Sequence, residues 1–366
     1  MSNQENGDTT SGKSRLGGIK RVAKWLIVLL VASGLFQTIS GAREELAAQR
    51  EAIRQHVAEL DEKIENSPDS MQRANLQAER DRLLGQDPDF TRLHWRWIAL
   101  AGLVYSIALL CPALFFHQTL IHMNQSPLAM ESIAAHLLGH LGKYVPGKAM
   151  VVVMRVSAIA GPNVQVGAAT VAAFIETLVM MAVGGTVGGI IVTCLQLESW
   201  VTWLAVGLVV CTAVPTLPPV FRPIVARIAK TKIGSGKGLD PARIDWKIMS
   251  AGWAWMIPMW GGIGLSFLLL ILAVPGGVSQ DEVTGTSYLL ATAAISLAMV
   301  AGFISLLPGG AGVRELVLTT LLAPMIGVAP ALAAAVLARI VFLVTEVVIG
   351  LLIVGARKRR AVPDGT

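Results

Sequence analysis

Apolar residues in this chain fall mainly in long unbroken runs, with polar residues gathered in the gaps. The runs near Trp97–Leu120, Ala168–Leu195, Val201–Phe221, Ile248–Val274, Ser287–Leu307 and Ala331–Val354 each reach the ~20 residues that a helix needs to cross a bilayer. A shorter run, Val317–Val328, must borrow flanking residues or enter obliquely. Another, Trp25–Ile39, follows Lys13, Arg15, Lys20, Arg21 and Lys24. It reads as an uncleaved first span; the alternative is a signal peptide with Ser40 and Ala42 near a cleavage point.

Residues 42–94 keep a different period. Leu46, Ile53, Val57, Leu60 and Ile64 recur at intervals of 7, 4, 3 and 4, which is one seam of a helix. Asn66-Ser67-Pro68-Asp69 interrupts the seam, and Leu76 and Leu83 then stand a heptad apart. The pattern predicts a coiled-coil-like helical hairpin outside the membrane that spaces, dimerises or recruits a partner. Its 12 Asp and Glu outnumber its eight Arg and Lys.

One stretch fits neither class. Glu131–Ile159 is too polar for an ordinary span and too apolar for a loop. A re-entrant or broken helix reconciles the two: Ile133–Leu141 descends, Pro146-Gly147 turns, and Met150–Val156 returns. Irregular backbone is tolerated at that depth only inside protein or beside a wet cavity.

Composition supports the membrane reading. Of 366 residues, 54% are hydrophobic and 15% charged, with a mean hydropathy of +0.61, against about 25% charged in soluble domains. The net charge of +6 comes from cations at the ends of apolar runs. No basic-aromatic module accompanies them, which argues against a nucleic-acid partner. Arg222–Lys247 holds seven Lys and Arg against Asp240 and Asp245, and the tail carries Arg357-Lys358-Arg359-Arg360. The loop at Asp281-Glu282 is acidic. With eight crossings and both termini in the cytoplasm, basic loops fall inside and acidic loops outside. The fold class is therefore all-α: a polytopic membrane helix bundle of about eight spans, with a re-entrant segment and an extracytoplasmic hairpin. Five parts follow: a polar N-terminus (1–20), a first span (21–41), the hairpin (42–94), the main transmembrane domain (95–356) and a basic cytoplasmic tail (357–366). The inner, cytoplasmic membrane of a cell is the expected location.

Candidate chemistry collects at two turns. "GKYVPGKAMVVVMR" carries Lys143, Lys148 and Arg155 around Pro146-Gly147, and "LLPGGAGVREL" repeats that logic with Arg314. Each turn offers free N–H groups at a helix start, where anions bind. Paired broken helices point to a transporter site, although four crossings between the motifs argue against a simple inverted repeat. The rival reading is two helices that merely end at the interface with snorkelling cations. Glu176, Arg339 and Glu346 fall inside spans, where a charge costs about 2.5–3.5 kcal/mol. Arg339 and Glu346, seven apart, share a helix face. The three form either an internal polar network with the turns, lining a path for a charged substrate, or ion pairs that only fix packing. Glu315 adjoins Arg314 but points elsewhere on a helix.

His136 and His140, four apart, have a spacing that can bind zinc, but no HExxH glutamate or third ligand accompanies them. His140 reads better as a polar group beside the turn, hydrogen-bonding a headgroup. Cys111, Cys194 and Cys211 read as small buried hydrophobes. No P-loop, dinucleotide fingerprint or nucleophile elbow is present. No cofactor, metal or catalytic residue is expected.

"GHLGKYVPGKAMVVVMR", the glutamate in the next span and "SLLPGGAGVREL" make roughly residues 95–355 similar to the transmembrane region of lysylphosphatidylglycerol synthases, a group with many stand-alone flippase-like members. The resemblance implies movement of an anionic phospholipid or a polyprenyl-linked glycolipid across the bilayer. It also implies a site made of Lys143, Pro146, Gly147, Lys148, Arg155, Glu176, Pro308, Gly309, Gly310, Gly312, Arg314 and Glu315. The full synthases carry a soluble C-terminal domain that transfers an amino acid. This chain ends at Thr366, so that activity is expected to be absent. The hairpin looks like an insertion in a short first loop. Two other functions stay open: a scaffold that recruits a partner through the hairpin, and a membrane-embedded transferase using Glu315 or His140. A homo-oligomer is also open.

Overall fold

A computed structural model describes residues 47–48, 50–85, 93–144, 149–195, 199–229, 243–275, 277–278, 280–305, 310 and 312–361. Among them the fold is all-α, with no strand and a single isolated bridge between Gly161 and Val164.

Outside the bundle's own span of sequence, α1 (50–66) and α2 (Ser70–Gly85) are joined by a short turn at 67–69. Asp69 Oδ1 accepts from the Met71 N–H at 3.0 Å, which caps the start of α2. Arg73 closes the turn by donating to the Ser67 carbonyl at 2.6 Å, and Arg80 reaches Asp61 across the pair at 3.4 Å.

The bundle begins with α3 (Trp95–Ala108) and α4 (Leu110–His122), which run on as one apolar stretch of 28 residues. They break at Leu109 because Pro112, in the first turn of α4, has no N–H to return to the preceding turn. Next come α5 (Ala129–His140), a 3-10 turn at Leu141–Tyr144 and α6 (Ala149–Ile159). At 1.5 Å per residue, α5 and α6 are about 18 and 16 Å long, so neither alone crosses a core of about 30 Å. They pack against each other as a short hairpin, with α4 and α13 behind α5 and α7 behind α6.

The centre is made by α7 (Val166–Cys194) and α10 (Trp246–Ala273). Small residues let them close, as bilayer packing requires. Trp260 lies where a Cβ on Gly184 would sit, its indole N–H donating to the Met180 carbonyl at 2.9 Å. Thr212 of α8 (Ser199–Ala213) and Ser296 of α11 (Gly285–Ile304) crowd Gly185 and Gly188 in the same way. The bundle is completed by α9 (Pro218–Ala229), α12 (Val313–Ile326) and the long α13 (Val328–Ala361). Elements α11, α12 and α13 pack in sequence order.

Five stretches of described helix are long and apolar enough to cross a membrane: Trp95–His122, Val166–Cys194, Trp246–Ala273, Gly285–Ile304 and Val328–Arg357. Of the other three expected spans, Trp25–Ile39 lies outside the described residues. Val201–Phe221 is divided, because Pro215, Pro218 and Pro219 end α8 at Ala213 and restart the chain in α9. Val317–Val328 falls in α12, a helix of 14 residues stopped by Gly327 at φ +84°. The cysteines need correction: Cys194 and Cys211 are exposed and Cys111 is half-buried. The outside of this bundle carries large apolar residues such as Trp203, Leu351 and Leu352, so an apolar cysteine is as compatible with that surface as with the core.

Candidate functional site

Charged side chains are drawn into the interior by both hairpins. In the first, Arg155 of α6 lies across α5 at Gly139, where a Cβ would come within 2.1 Å of its Cγ. Its guanidinium pairs with Glu176 of α7, and both residues are buried. The Phe116 ring lies 6.0 Å from the guanidinium. His136, also buried, stands beside this pair, and its Nε2 meets His140 Nε2 at 3.1 Å.

His140 leads to the second group. Its Nδ1 lies 3.8 Å from Glu346 of α13. Lys143 and the Tyr105 hydroxyl also bond Glu346 Oε1, and the Tyr144 hydroxyl donates to Oε2 at 3.0 Å. Tyr105 is held in place by stacking on Phe342, one turn before Glu346, with ring centroids 4.0 Å apart. Gly350, one turn further, lets Leu141 of the 3-10 turn approach α13.

The second hairpin repeats the device. Arg314, near the start of α12, lies across α11 at Gly302, where a Cβ would be 2.7 Å from its Nε. Gly310 closes over it at φ +67°, a backbone that glycine adopts freely, and its own Cβ would be 2.7 Å from Gly302 Cα. The next residue turns the other way. Glu315 Oε2 accepts the Gly312 N–H at 2.8 Å, capping α12, and the Arg339 Nη2 at 2.9 Å. Arg339 Nε lies 2.5 Å from Oε1. Helix α13 therefore ties both hairpins: Arg339 holds the carboxylate of the second, and Glu346 gathers the 3-10 turn of the first.

Arg314 differs from the other interior cations. Lys143, Arg155 and Arg339 each pair with a carboxylate. Arg314 has no ion pair or hydrogen bond among the described residues; its Nε is buried without a partner, as is that of Arg155. Electrostatically it faces Arg339, Tyr144, Glu315, Tyr105 and Lys143. Around it, Lys143, Arg314 and Arg339 stand against Glu315 and Glu346, leaving one positive charge in excess among the described residues.

The structure thus brings together Lys143, His140, Glu346, Tyr105 and Tyr144, sets Arg314 beside them, and joins Glu315 to Arg339. Glu176 and Arg155 form a separate pair, with His136 beside it. Gly312, at φ +77°, starts α12. Pro146, Gly147, Lys148, Pro308 and Gly309 lie outside the described residues. Sequence reading missed Tyr105, Tyr144 and the two cradle glycines, Gly139 and Gly302. A usable signal existed, since the chain has only three tyrosines and two of them bond Glu346. Among the described residues, no group of three His, Cys, Asp or Glu is placed to hold a metal.

A helical bundle with several apolar spans and charges buried inside it defines a polytopic membrane protein. The family model for the lysylphosphatidylglycerol synthase TM region matches residues 88–350, and the chain belongs to that family. No curated protein matches it.

Proposed function

We propose that this protein moves an anionic lipid headgroup, of a phospholipid or a polyprenyl-linked glycolipid, across the bilayer while the tails stay in lipid. The observation that carries the reading is Arg314: a cation recessed between two glycines, without a carboxylate of its own, where both hairpins meet α13. A phosphate would complete its hydrogen bonding as Glu315 completes that of Arg339. Tyr105 and Tyr144 line the same place and can turn hydroxyls toward phosphate oxygens. The carboxylates of Glu315 and Glu346 hold the neighbouring cations in position and limit the site's net charge, so that an anion can leave as well as bind.

In this reading α5 and α6 are re-entrant, starting and finishing on the cytoplasmic side with both termini, and α1 and α2 stand on the opposite face. The basic stretch Arg222–Lys247 and the basic tail favour that orientation. Transport involves no covalent step, and no aminoacyl transfer is proposed.

The test is the accessibility of labelled phosphatidylglycerol in proteoliposomes. Wild-type protein equilibrates the label between leaflets. Arg314→Ala slows this roughly ten- to hundredfold, the worth of a hydrogen bond to a charged group. A wild type that moves no anionic lipid sinks the function. An Arg314→Ala protein as fast as wild type sinks the site.

A further inference from the structure

A nitrogen–nitrogen contact lies within the buried network. His136 Nε2 and His140 Nε2 are 3.1 Å apart. Such a contact holds a single hydrogen, one ring donating and the other accepting. In the neutral pair, a lone pair is then left at one of the two Nδ1 atoms. One tautomer places it on His140 Nδ1, 3.8 Å from the Glu346 carboxylate. The other places it on His136 Nδ1, which is buried and has no hydrogen-bond partner. In either case one nitrogen is an empty seat for a proton.

We infer that the His136–His140 pair binds one proton together with the anionic headgroup, so that lipid movement is proton-linked; the inference rests on the function proposed above. The groups around the pair frame the charge balance. From α13, the Glu346 carboxylate lies 3.8 Å from His140 Nδ1. From the 3-10 turn, Lys143 opposes an imidazolium but is itself held by Glu346. From α6, Arg155 opposes it on the His136 side, neutralised in turn by Glu176 of α7. From α4, His117 faces α5 but is engaged by Ser132 at 3.0 Å. Arg314 of α12 and Tyr105 of α3 lie beyond Glu346. Without a ligand, burial of the pair discourages a positive charge, and the cation excess at Lys143, Arg155 and Arg314 adds to it. A bound phosphate removes that excess, and the pair then takes up a proton.

The proton step balances simply. A hydronium ion reaches His140, the less buried end of the pair. A new N–H bond forms at the Nδ1 lone pair and water is left. The hydrogen between the rings can shift from His140 Nε2 to His136 Nε2, carrying the charge inward without net movement of atoms elsewhere. The proton leaves by the reverse step when the anion leaves. Coupling of this kind is reciprocal: anion binding favours the proton and the proton favours the anion. It also has a transport consequence. An anion moving alone works with or against the membrane potential, whereas an anion with one proton moves as a neutral pair.

The experiment uses full-length protein in phosphatidylcholine vesicles carrying trace labelled phosphatidylglycerol, with equal or unequal pH across the membrane. At equal pH the label divides evenly. A difference of one pH unit draws it toward the leaflet on the alkaline side by about tenfold, as one-to-one linkage requires. His136→Gln abolishes that bias. In parallel, nitrogen NMR of histidine-labelled wild type with short-chain phosphatidylglycerol shows one imidazole of the pair titrating between about pH 5 and 8. Label that moves in the wild type but divides evenly whatever the gradient overturns proton linkage and leaves translocation standing. A pair that stays neutral throughout that pH range overturns it as well, independently of how the variant folds. If no label moves at any pH, translocation and its linkage fall together.

Discussion

Two arginines on neighbouring hairpins show how far the fate of one residue depends on its partner. Arg155 and Glu176 are both buried and pair through Nη1 and Oε2, while Arg155 Nε and Glu176 Oε1 keep no hydrogen-bond partner. Removing one member of such a pair strands a charge, at a cost of about 3–5 kcal/mol, whereas replacing both with apolar groups is often neutral. Arg155→Ala should therefore lower the unfolding midpoint in detergent sharply, and Arg155→Met with Glu176→Leu should restore most of it. A double variant no more stable than Arg155→Ala would show that the ion pair is not what holds α6 to α7. Arg314 has no such partner, so Arg314→Ala should hardly move the midpoint while slowing lipid. Sequence made these arginines visible because a charge inside an apolar run stands out. It did not show which one was unpaired, because pairing depends on residues up to 203 positions apart, as between Lys143 and Glu346.

At the scale of elements, each hairpin works because a helix face is left bare for an arginine to cross. Gly302→Leu would fill the place that Arg314 occupies, and should slow lipid as much as Arg314→Ala does. Gly207→Ala, where an added Cβ meets nothing within 4 Å, should leave the rate unchanged; equal rates for all three variants would discount the cradle. Asp245 illustrates a capping role. Its Oδ1 accepts from the Ile248 N–H at 3.0 Å at the start of α10, and His122 lies 3.4 Å away. Burial would raise its carboxyl, but the Ile248 and Lys247 amides and the His122 ring outweigh that and hold it below the ordinary carboxylate range. A lowered acid stabilises in full above about pH 4 and loses that contribution as pH falls through the folded value. Asp245→Ala should cost about 1 kcal/mol at neutral pH, with the difference from wild type shrinking in acid. A gap that persists unchanged at low pH would count against the cap. The long apolar helices were legible in advance. The break at Leu109 and the division of Val201–Phe221 turn on prolines whose effect depends on local backbone.

Over the whole molecule, α13 is the element that makes one site of two hairpins, through Arg339 on one side and Glu346 on the other. The α1–α2 hairpin contributes none of those contacts. Deleting 47–85 should leave lipid movement within about twofold of wild type, since no residue of the site is touched; a collapse to the vesicle background would favour a scaffold that works through the hairpin. Taken alone, the sequence determined the solvent of this protein, its helical class and which charges must be interior. Hydropathy acts over a helix length, and its cost is written residue by residue. Only the tertiary structure decided that Glu315 belongs to Arg339 rather than to its neighbour, that two tyrosines converge on Glu346, and that Arg314 is left with its charge unspent. Those outcomes depend on the angles at which helices cross, which come from side chains meeting across distant parts of the chain and leave no periodic trace along it.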